Sequence, residues 1–298
     1  MDNRPIGFFD SGIGGLTSIP YIMRHLPQER IIFFGDTART PYGSKSSETI
    51  RQFTMQIGDF MVKNNVKMMV IACNTISATC IDMLRKAYPD IPVVSAISPT
   101  ARVVAKMCSP ENRIGILATK ATVRSGAYKD KITEKNPRLQ NLYALACPAF
   151  VPLIEEGIIN NKIMDLTIEY YLRDFIEENE IDTLVLGCTH YPLISENIRR
   201  LYPNVDIINS SEEAATAVSI ELEKHDMYAK AGKGEKRLLC QRPVRKLCKH
   251  DTTDSRKRSG GAEHKIQEPG SVMPTRRLCG TERRLNLRIF AVSLEKRD

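Results

Sequence analysis

Two cysteines, Cys73 and Cys188, occur in matching sequence contexts, each directly after a short apolar run. Residues 70–75 read VIACNT and residues 185–190 read VLGCTH, so polar residues follow each thiol. A thiolate can remove a proton from one face of a carbon stereocentre, and a thiol can return one to the other face. Reduced cysteines are more often buried core residues than reactive groups. The matched register and the polar flanks instead favour a two-base racemase.

Short apolar runs recur along the chain and must position these cysteines. They fall at 6–9, 31–34, 68–72, 92–95, 114–117, 142–146, 184–186 and 205–208. Helix-length segments, such as 46–63 and 164–178, separate most of them. Strands that are apolar on both faces and alternate with helices predict a parallel α/β sheet.

The first four runs and the last four have similar spacing. Their starts are 25, 37 and 24 residues apart in the first set, and 28, 42 and 21 residues apart in the second. We therefore predict two similar parallel-sheet α/β lobes, 1–97 and 98–209, that are related by a pseudo-two-fold. The active site is expected in the cleft between the lobes. Ser210 and Ser211 resemble a helix N-cap, so a helix is predicted over 210–225.

Ligands of parallel α/β sheets bind beyond the carboxyl ends of the strands. In the first lobe, Asp10 and Ser11 follow the first run, and glycines at 12, 14 and 15 would let backbone N–H groups approach an anion. A dinucleotide fingerprint would need a glycine at Thr17, so a nucleotide is not favoured. Tyr42 and Gly43 belong to a Pro-Tyr-Gly turn that could hold a small ligand.

The second lobe offers equivalent polar groups. Thr119 and Thr122 follow its first run, where their hydroxyls could hold a carboxylate, and His190 could relay a proton next to Cys188. Glu155 is expected in a loop, either binding an ammonium group or lying on the surface as an ordinary charge. Three other cysteines are expected to be structural: Cys80, Cys108 and Cys147.

The formal net charge of +8 is concentrated near the C-terminus. Residues 1–229 have a net charge of −3, whereas residues 230–298 have +11. Nucleic-acid binding through basic clusters at 256–258, 276–277 and 283–284 is the alternative function of a different class. A solvated basic tail is the preferred interpretation.

The compartment is expected to be the cytoplasm. The N-terminus lacks the long apolar region of a secretory signal, and no apolar run is long enough to span a membrane. The eight cysteines include no C-x-x-C pair, which argues against a zinc site or a disulfide scaffold.

Several motifs together resemble the glutamate racemase family of the aspartate/glutamate racemase superfamily. The resemblance covers about residues 5–225. The matching segments are FDSGIGG (9–15), GDTARTPYG (35–43), ACNT (72–75), VPLIEEG (151–157) and LGCTHYP (186–192).

The resemblance implies a cytoplasmic isomerase that interconverts L- and D-glutamate for peptidoglycan synthesis, without a cofactor or a metal. Cys73 and Cys188 would be the acid/base residues, assisted by Asp10 and His190. The implied substrate-binding residues are Asp10, Ser11, Tyr42, Gly43, Asn74, Thr75, Thr119, Thr189 and His190. Glutamate is the expected partner, and a homodimer is an assembly that the resemblance allows. From the residues alone, a racemase of aspartate or of another amino acid remains an alternative.

The resemblance also implies that residues 210–229 return to the first lobe, and it ends before the basic tail. The family normally continues with another strand and a helix. Residues 234–240 could begin that strand, but 241–298 show neither helical nor strand periodicity. We expect 230–298 to be an atypical, poorly ordered tail. An altered reading frame is one explanation, and it would leave the first lobe less stable.

Overall fold

The structure is a computed structural model that describes residues 1–230, residues 234–240 and the backbone of 287–291. The basic clusters of the sequence, at 256–258, 276–277 and 283–284, lie outside these residues. Within the described part of the chain, none of the helices combines the length and the apolar character needed to cross a bilayer.

Strands and helices alternate, as the spacing of the apolar runs predicts. The strands are β1 (Ile6–Asp10), β2 (Ile31–Gly35), β3 (Met68–Ile71), β4 (Val93–Ser95), β5 (Ile114–Ala118), β6 (Leu142–Ala146), β7 (Thr183–Gly187), β8 (Asp206–Asn209), β9 (Lys236–Cys240) and β10 (Leu287–Ala291). The α-helices are α1 (Ile19–His25), α2 (Ser47–Lys63), α3 (Asn74–Ala87), α4 (Ile97–Met107), α5 (Lys120–Ser125), α6 (Ala127–Lys135), α7 (Phe150–Glu155), α8 (Lys162–Asn179), α9 (Ser195–Leu201) and α10 (Ser210–Lys224). Short 3₁₀ helices span Gly14–Ser18 and Tyr191–Ile194.

The four repeated strands of each sheet have the same order, which confirms the predicted fold class of two similar parallel-sheet lobes. The first sheet runs β10-β9-β2-β1-β3-β4 and the second runs β6-β5-β7-β8. In each sheet the first strand of the repeat therefore lies between the second and the third, and all pairs are parallel. This order brings the carboxyl ends of β1 and β3, and of β5 and β7, next to each other.

Each sheet is buried on both faces, as its continuous apolar strands require. On one face of the first sheet, Phe9 and Phe34 pack with residues of α2 and α3. On the other face, Phe8 and Phe33 pack with residues of α1 and α10. α10 thus packs on the first sheet although it follows the last strand of the second.

The second sheet is covered in the same way. Leu117 and Leu186 face α8 and α9, whereas Ile116 and Val185 face α4 and α6. The alternation of side chains along each strand assigns successive residues to opposite helical layers.

The structure modifies two expectations near the C-terminus. α10 is capped by Asn209, whose side chain accepts a hydrogen bond from the Ser211 backbone N–H, rather than by Ser210 or Ser211. Within 230–298, the expected strand is present as β9, which pairs with β2. The expectation of no strand after residue 241 is wrong for Leu287–Ala291, because this segment pairs in parallel with β9.

A buried ion pair attaches the segment after α10 to the first lobe. The side chains of Lys67 and Glu29 are both fully buried, and their charged atoms are 2.6 Å apart. The Lys67 ammonium also donates to the carbonyls of Asp2 (2.7 Å) and Met227 (2.5 Å). The Glu29 carboxylate accepts from the Ala229 backbone N–H at 2.7 Å. These contacts hold the chain where it leads into β9.

Candidate active site

The two cysteines of the matched motifs line one cavity, of about 160 Å³, at the carboxyl ends of the strands of both lobes. Ten of the predicted site residues contribute to its wall: Ser11, Tyr42, Gly43, Cys73, Asn74, Thr75, Thr119, Cys188, Thr189 and His190. Asp10 is not among the lining residues. The wall of the cavity carries hydroxyl, thiol and imidazole groups beside the apolar side chains of Pro148, Val151 and Pro152, and its size suits a small ligand.

Cys73 occupies the N-cap position of α3, directly after β3. Its thiol lies 3.4 Å from the Ser11 hydroxyl oxygen, to which it donates. Burial raises the pKa of Cys73, and the negative charge of Asp10 raises it further. Both effects outweigh the hydrogen bonds that the Ser11 hydroxyl and nearby backbone N–H groups would donate to a thiolate. The Ile76 backbone N–H, in the first turn of α3, favours a thiolate, but burial and Asp10 outweigh it and Cys73 is a protonated thiol.

Cys188 follows β7 and lies beside the side chain of His190. Its sulfur lies 3.9 Å from Nδ1 of His190, and Nε2 of His190 lies 3.2 Å from a Glu155 carboxylate oxygen. Burial alone would lower the pKa of His190. The hydrogen bonds to Cys188 and Glu155, together with the charges of Cys188 and Asp10, prevail and raise it to about 10. His190 is thus an imidazolium at neutral pH.

The elements next to Cys188 differ from those next to Cys73. The chain forms a short 3₁₀ helix from Tyr191 before α9 begins at Ser195, so no α-helix starts at Cys188. Glu155 is the last residue of α7 rather than a loop residue. The helical position directs its carboxylate to His190.

Asp10 acts from behind the cavity wall. It is fully buried at the end of β1, and its Oδ2 accepts from the Gly15 backbone N–H at 2.6 Å and from the Thr189 hydroxyl at 3.4 Å. The glycine pattern predicted that the backbone N–H of Gly15 would face an anionic ligand. This N–H instead donates to Asp10. Asp10 affects both Cys73 and His190 through its charge.

The turn that carries Tyr42 and Gly43 is fixed by a polar network. The Tyr42 hydroxyl donates to the buried carboxylate of Asp36, which also accepts from Nε of Arg39 at 2.7 Å. The Arg39 guanidinium stacks over the ring of Phe53, 4.0 Å from its centroid. The hydroxyl of Tyr42 is thus engaged away from the cavity, and Tyr42 offers its ring and backbone to a ligand.

Gly43 forms a close contact between the lobes. Its carbonyl accepts from the Ala121 backbone N–H at 3.1 Å, and a Cβ at this position would lie 2.7 Å from Cβ of Thr119. Only a glycine lets the turn approach α5 this closely.

Three threonines form a second contact between the lobes. The hydroxyl oxygens of Thr75 and Thr119 are 2.9 Å apart, those of Thr119 and Thr122 are 3.0 Å apart, and Thr122 donates to Thr75 at 3.4 Å. Thr75 and Thr119 line the cavity, whereas Thr122 supports them from behind. The cluster gathers hydroxyl groups of both lobes at one side of the cavity.

Comparison with known proteins identifies the family. The model of the family described as Asp/Glu/Hydantoin racemase matches residues 20–218. The chain belongs to this racemase family. A glutamate racemase of Persephonella marina is 42% identical over 234 residues, covering 78% of this chain and 86% of the relative. One from Neisseria meningitidis is 46% identical over 222 residues, covering 73% and 81%.

Solved structures agree with this assignment. The crystal structure of glutamate racemase from Francisella tularensis in complex with D-glutamate superposes with a TM-score of 0.76 at 40% identity. The match covers 82% of this chain and 90% of that one. The glutamate racemase of Escherichia coli, in complex with L-glutamate and an activator, gives a TM-score of 0.66 at 29% identity and covers 80% and 90%.

Sequence reasoning missed some residues of this racemase cavity. Cys147 was expected to be structural, yet it is buried in the cavity wall. It follows β6 directly, so the strand-end argument that selected Cys73 and Cys188 could also have selected it. Lys120 lines the cavity at the start of α5, and no sequence motif marks it. Cys80 lies in the core beside α2, as expected for a structural cysteine.

Among the residues that the structure describes, no three His, Cys, Asp or Glu side chains come together as the ligands of a metal ion would.

Proposed function

We propose that this racemase-family chain is a glutamate racemase that acts through Cys73 and Cys188 without a cofactor. The observation that carries the proposal is that one cavity, between two sheets whose four repeated strands have the same order, is lined by both matched thiols. Relatives that are 42% and 46% identical to this chain over the aligned residues are glutamate racemases. The geometry thus provides one thiol from each lobe for the two faces of the substrate.

The two thiols differ in their surroundings, which suggests a role for each. Cys188, which lies beside the charged His190 side chain, is assigned as the base on L-glutamate, and Cys73, whose pKa is raised by burial and by Asp10, is assigned as the acid. The Cys188 thiolate removes the α-proton and leaves its electron pair on the α-carbon. Cys73 then donates its S–H proton to the opposite face. The reverse reaction exchanges the roles, with Asp10 and His190 as the assisting charges.

The polar wall of the cavity would hold the two carboxylates and the ammonium group of glutamate. We assign this role to ten residues of the cavity and its supporting shell: Asp10, Ser11, Tyr42, Gly43, Asn74, Thr75, Thr119, Thr189, His190 and, supporting Thr119, Thr122. Because Thr75 and Thr119 belong to different lobes, a carboxylate bound to both would favour the closed cleft. Glu155 is engaged by His190, so it is assigned to holding that charge rather than to binding the ammonium group.

Hydrogen exchange tests the proposal. The full chain is incubated in D₂O with L-glutamate and a chelator, and without any added cofactor. The α-hydrogen should exchange with solvent while D-glutamate forms, as read by NMR and a chiral separation. L-aspartate in a parallel incubation should react much more slowly. Faster turnover of aspartate would support the alternative amino-acid racemase, and no exchange with either acid would refute a racemase.

We propose that the enzyme works in the cytoplasm and supplies D-glutamate for peptidoglycan.

The first lobe is proposed to comprise 1–97 with 210–229, and the second lobe 98–209. Packing of α10 on the first sheet supports this division, and β9 extends that sheet beyond residue 229.

A homodimer is the proposed assembly. Ile163, Leu166 and Tyr170 are exposed at three- and four-residue spacing on α8, so they share one helical face. A second copy would bury this apolar surface. Light scattering coupled to gel filtration should give the mass of a dimer, and the mass of a single chain would refute this assembly.

A further inference from the structure

Asn74, next to Cys73, has its side-chain amide bonded at both ends. The hydroxyl of Tyr128 donates to Oδ1 of Asn74 at 2.6 Å, and Nδ2 of Asn74 donates to the Ser210 hydroxyl at 3.4 Å. Ser210 in turn donates to the carbonyl of Leu186 at 2.8 Å. Asn74, Tyr128 and Ser210 are all buried. The amide is therefore oriented by a chain of hydrogen bonds rather than by solvent.

The direction of the first hydrogen bond decides what Asn74 offers to the cavity. Burial raises the pKa of Tyr128, and this effect outweighs the hydrogen bonds from Thr100 and Ser210 that lower it, so the hydroxyl remains a donor. A donor requires the amide oxygen opposite it, and this places the NH₂ group on the other side. An amide nitrogen carries two hydrogens, and Ser210 takes one. The second is left for a ligand of the cavity, which Asn74 lines.

One of the two partners of Asn74 belongs to the other lobe. Tyr128 lies on α6, whose apolar side packs on the second sheet, and Ser210 starts α10 directly after β8. Asn74 itself starts α3, which packs on the first sheet. The orientation of a cavity residue of one lobe thus depends on a tyrosine of the other.

We propose that Tyr128 is a positioning residue for substrate binding, which orients the Asn74 amide so that its N–H faces a substrate carboxylate. The inference rests on the proposed glutamate racemase function. Without the tyrosine hydroxyl, the amide oxygen of Asn74 loses its donor and the amide can rotate. An oxygen turned toward the cavity would then oppose the carboxylate.

Steady-state kinetics of Tyr128→Phe with L-glutamate test this inference. KM should rise about tenfold, because a hydrogen bond to a charged ligand is misdirected, while kcat changes less than about threefold. The matched control is Tyr88→Phe. It also removes a hydroxyl that donates at 2.6 Å, here to Asp59, but on the far end of α3. Its KM should remain that of the wild type.

A double-mutant cycle separates positioning from a merely structural role. If Tyr128 acts through Asn74, adding Tyr128→Phe to Asn74→Ala should change KM less than twofold. An equal rise of KM in both backgrounds, or an unchanged KM in the single variant, would overturn the inference.

A second variant keeps the inference testable if Tyr128→Phe does not fold. Ser210→Ala removes the other partner of Asn74 and should raise KM about threefold, and an unchanged KM there would overturn the inference as well. If the wild-type chain does not racemize glutamate, the proposed function fails instead.

Discussion

The charge of His190 can be tested by removing the carboxylate that faces it. Glu155→Gln retains the shape and an accepting oxygen opposite Nε2 of His190, but it removes the negative charge 3.2 Å away. The pKa of His190 is raised from 6.5 to about 10 by its partners, against the opposing effect of burial. Losing one charged partner should therefore lower this pKa while the cavity keeps its shape.

The magnitude follows from the number of partners. The rise in the pKa of His190 corresponds to about 5 kcal/mol at 1.36 kcal/mol per unit of pKa. The interactions with Cys188, Glu155 and Asp10 together cause this rise. A hydrogen bond to a charged group contributes about 1.5–3 kcal/mol, or about one to two pKa units. The pKa of His190 in Glu155→Gln should thus lie between about 8 and 9. The sign is downward, because the removed charge favoured the protonated form.

A pH profile of kcat/KM for L-glutamate measures this shift. The alkaline limb reports the loss of the His190 proton, since the charged imidazolium is needed beside Cys188. In the wild type the limb should fall near pH 10, as the pKa of His190 indicates, and in Glu155→Gln about one to two units lower. The matched control is Glu156→Gln at the next, exposed position. Coincident limbs for Glu155→Gln and the wild type would refute the role given to Glu155.

Two further predictions concern packing and stability. Gly43→Ala puts a Cβ 2.7 Å from Cβ of Thr119, so the turn must move by about 1 Å. Because this displaces a wall of the cavity, kcat/KM should fall about 100-fold. A kcat/KM within threefold of the wild type would contradict this prediction. Lys67→Met leaves the buried Glu29 carboxylate without its cation. Urea unfolding should show a loss of about 3–5 kcal/mol in the free energy of unfolding, and a loss below 1 kcal/mol would show that the pair is not needed.

The fold was predictable from the sequence because the apolar runs are short, regularly spaced and repeated. The same logic placed Cys73 and Cys188 at strand ends, since a residue that follows a buried parallel strand lies at the ligand-binding edge. Contacts between distant elements have no such signal. Glu155 reaches His190 only through the packing of α7, and Tyr128, on α6, reaches Asn74 only because the two lobes meet at the cavity. β10 joins β9 across an intervening segment of 46 residues (241–286), which local periodicity cannot reveal.

The central claim is that two thiols, one from each lobe, perform the reaction. The most direct measurement is the rate of D-glutamate formation from L-glutamate by Cys73→Ala and Cys188→Ala, with Cys80→Ala as the matched control. Cys80 is also buried and lies on α3, but it belongs to the hydrophobic core beside α2. We predict that each of the first two variants loses at least about 1,000-fold in rate, since either face of the substrate then lacks its acid or base. The control should keep the wild-type rate. Racemization at the wild-type rate by either Cys73→Ala or Cys188→Ala would contradict the account.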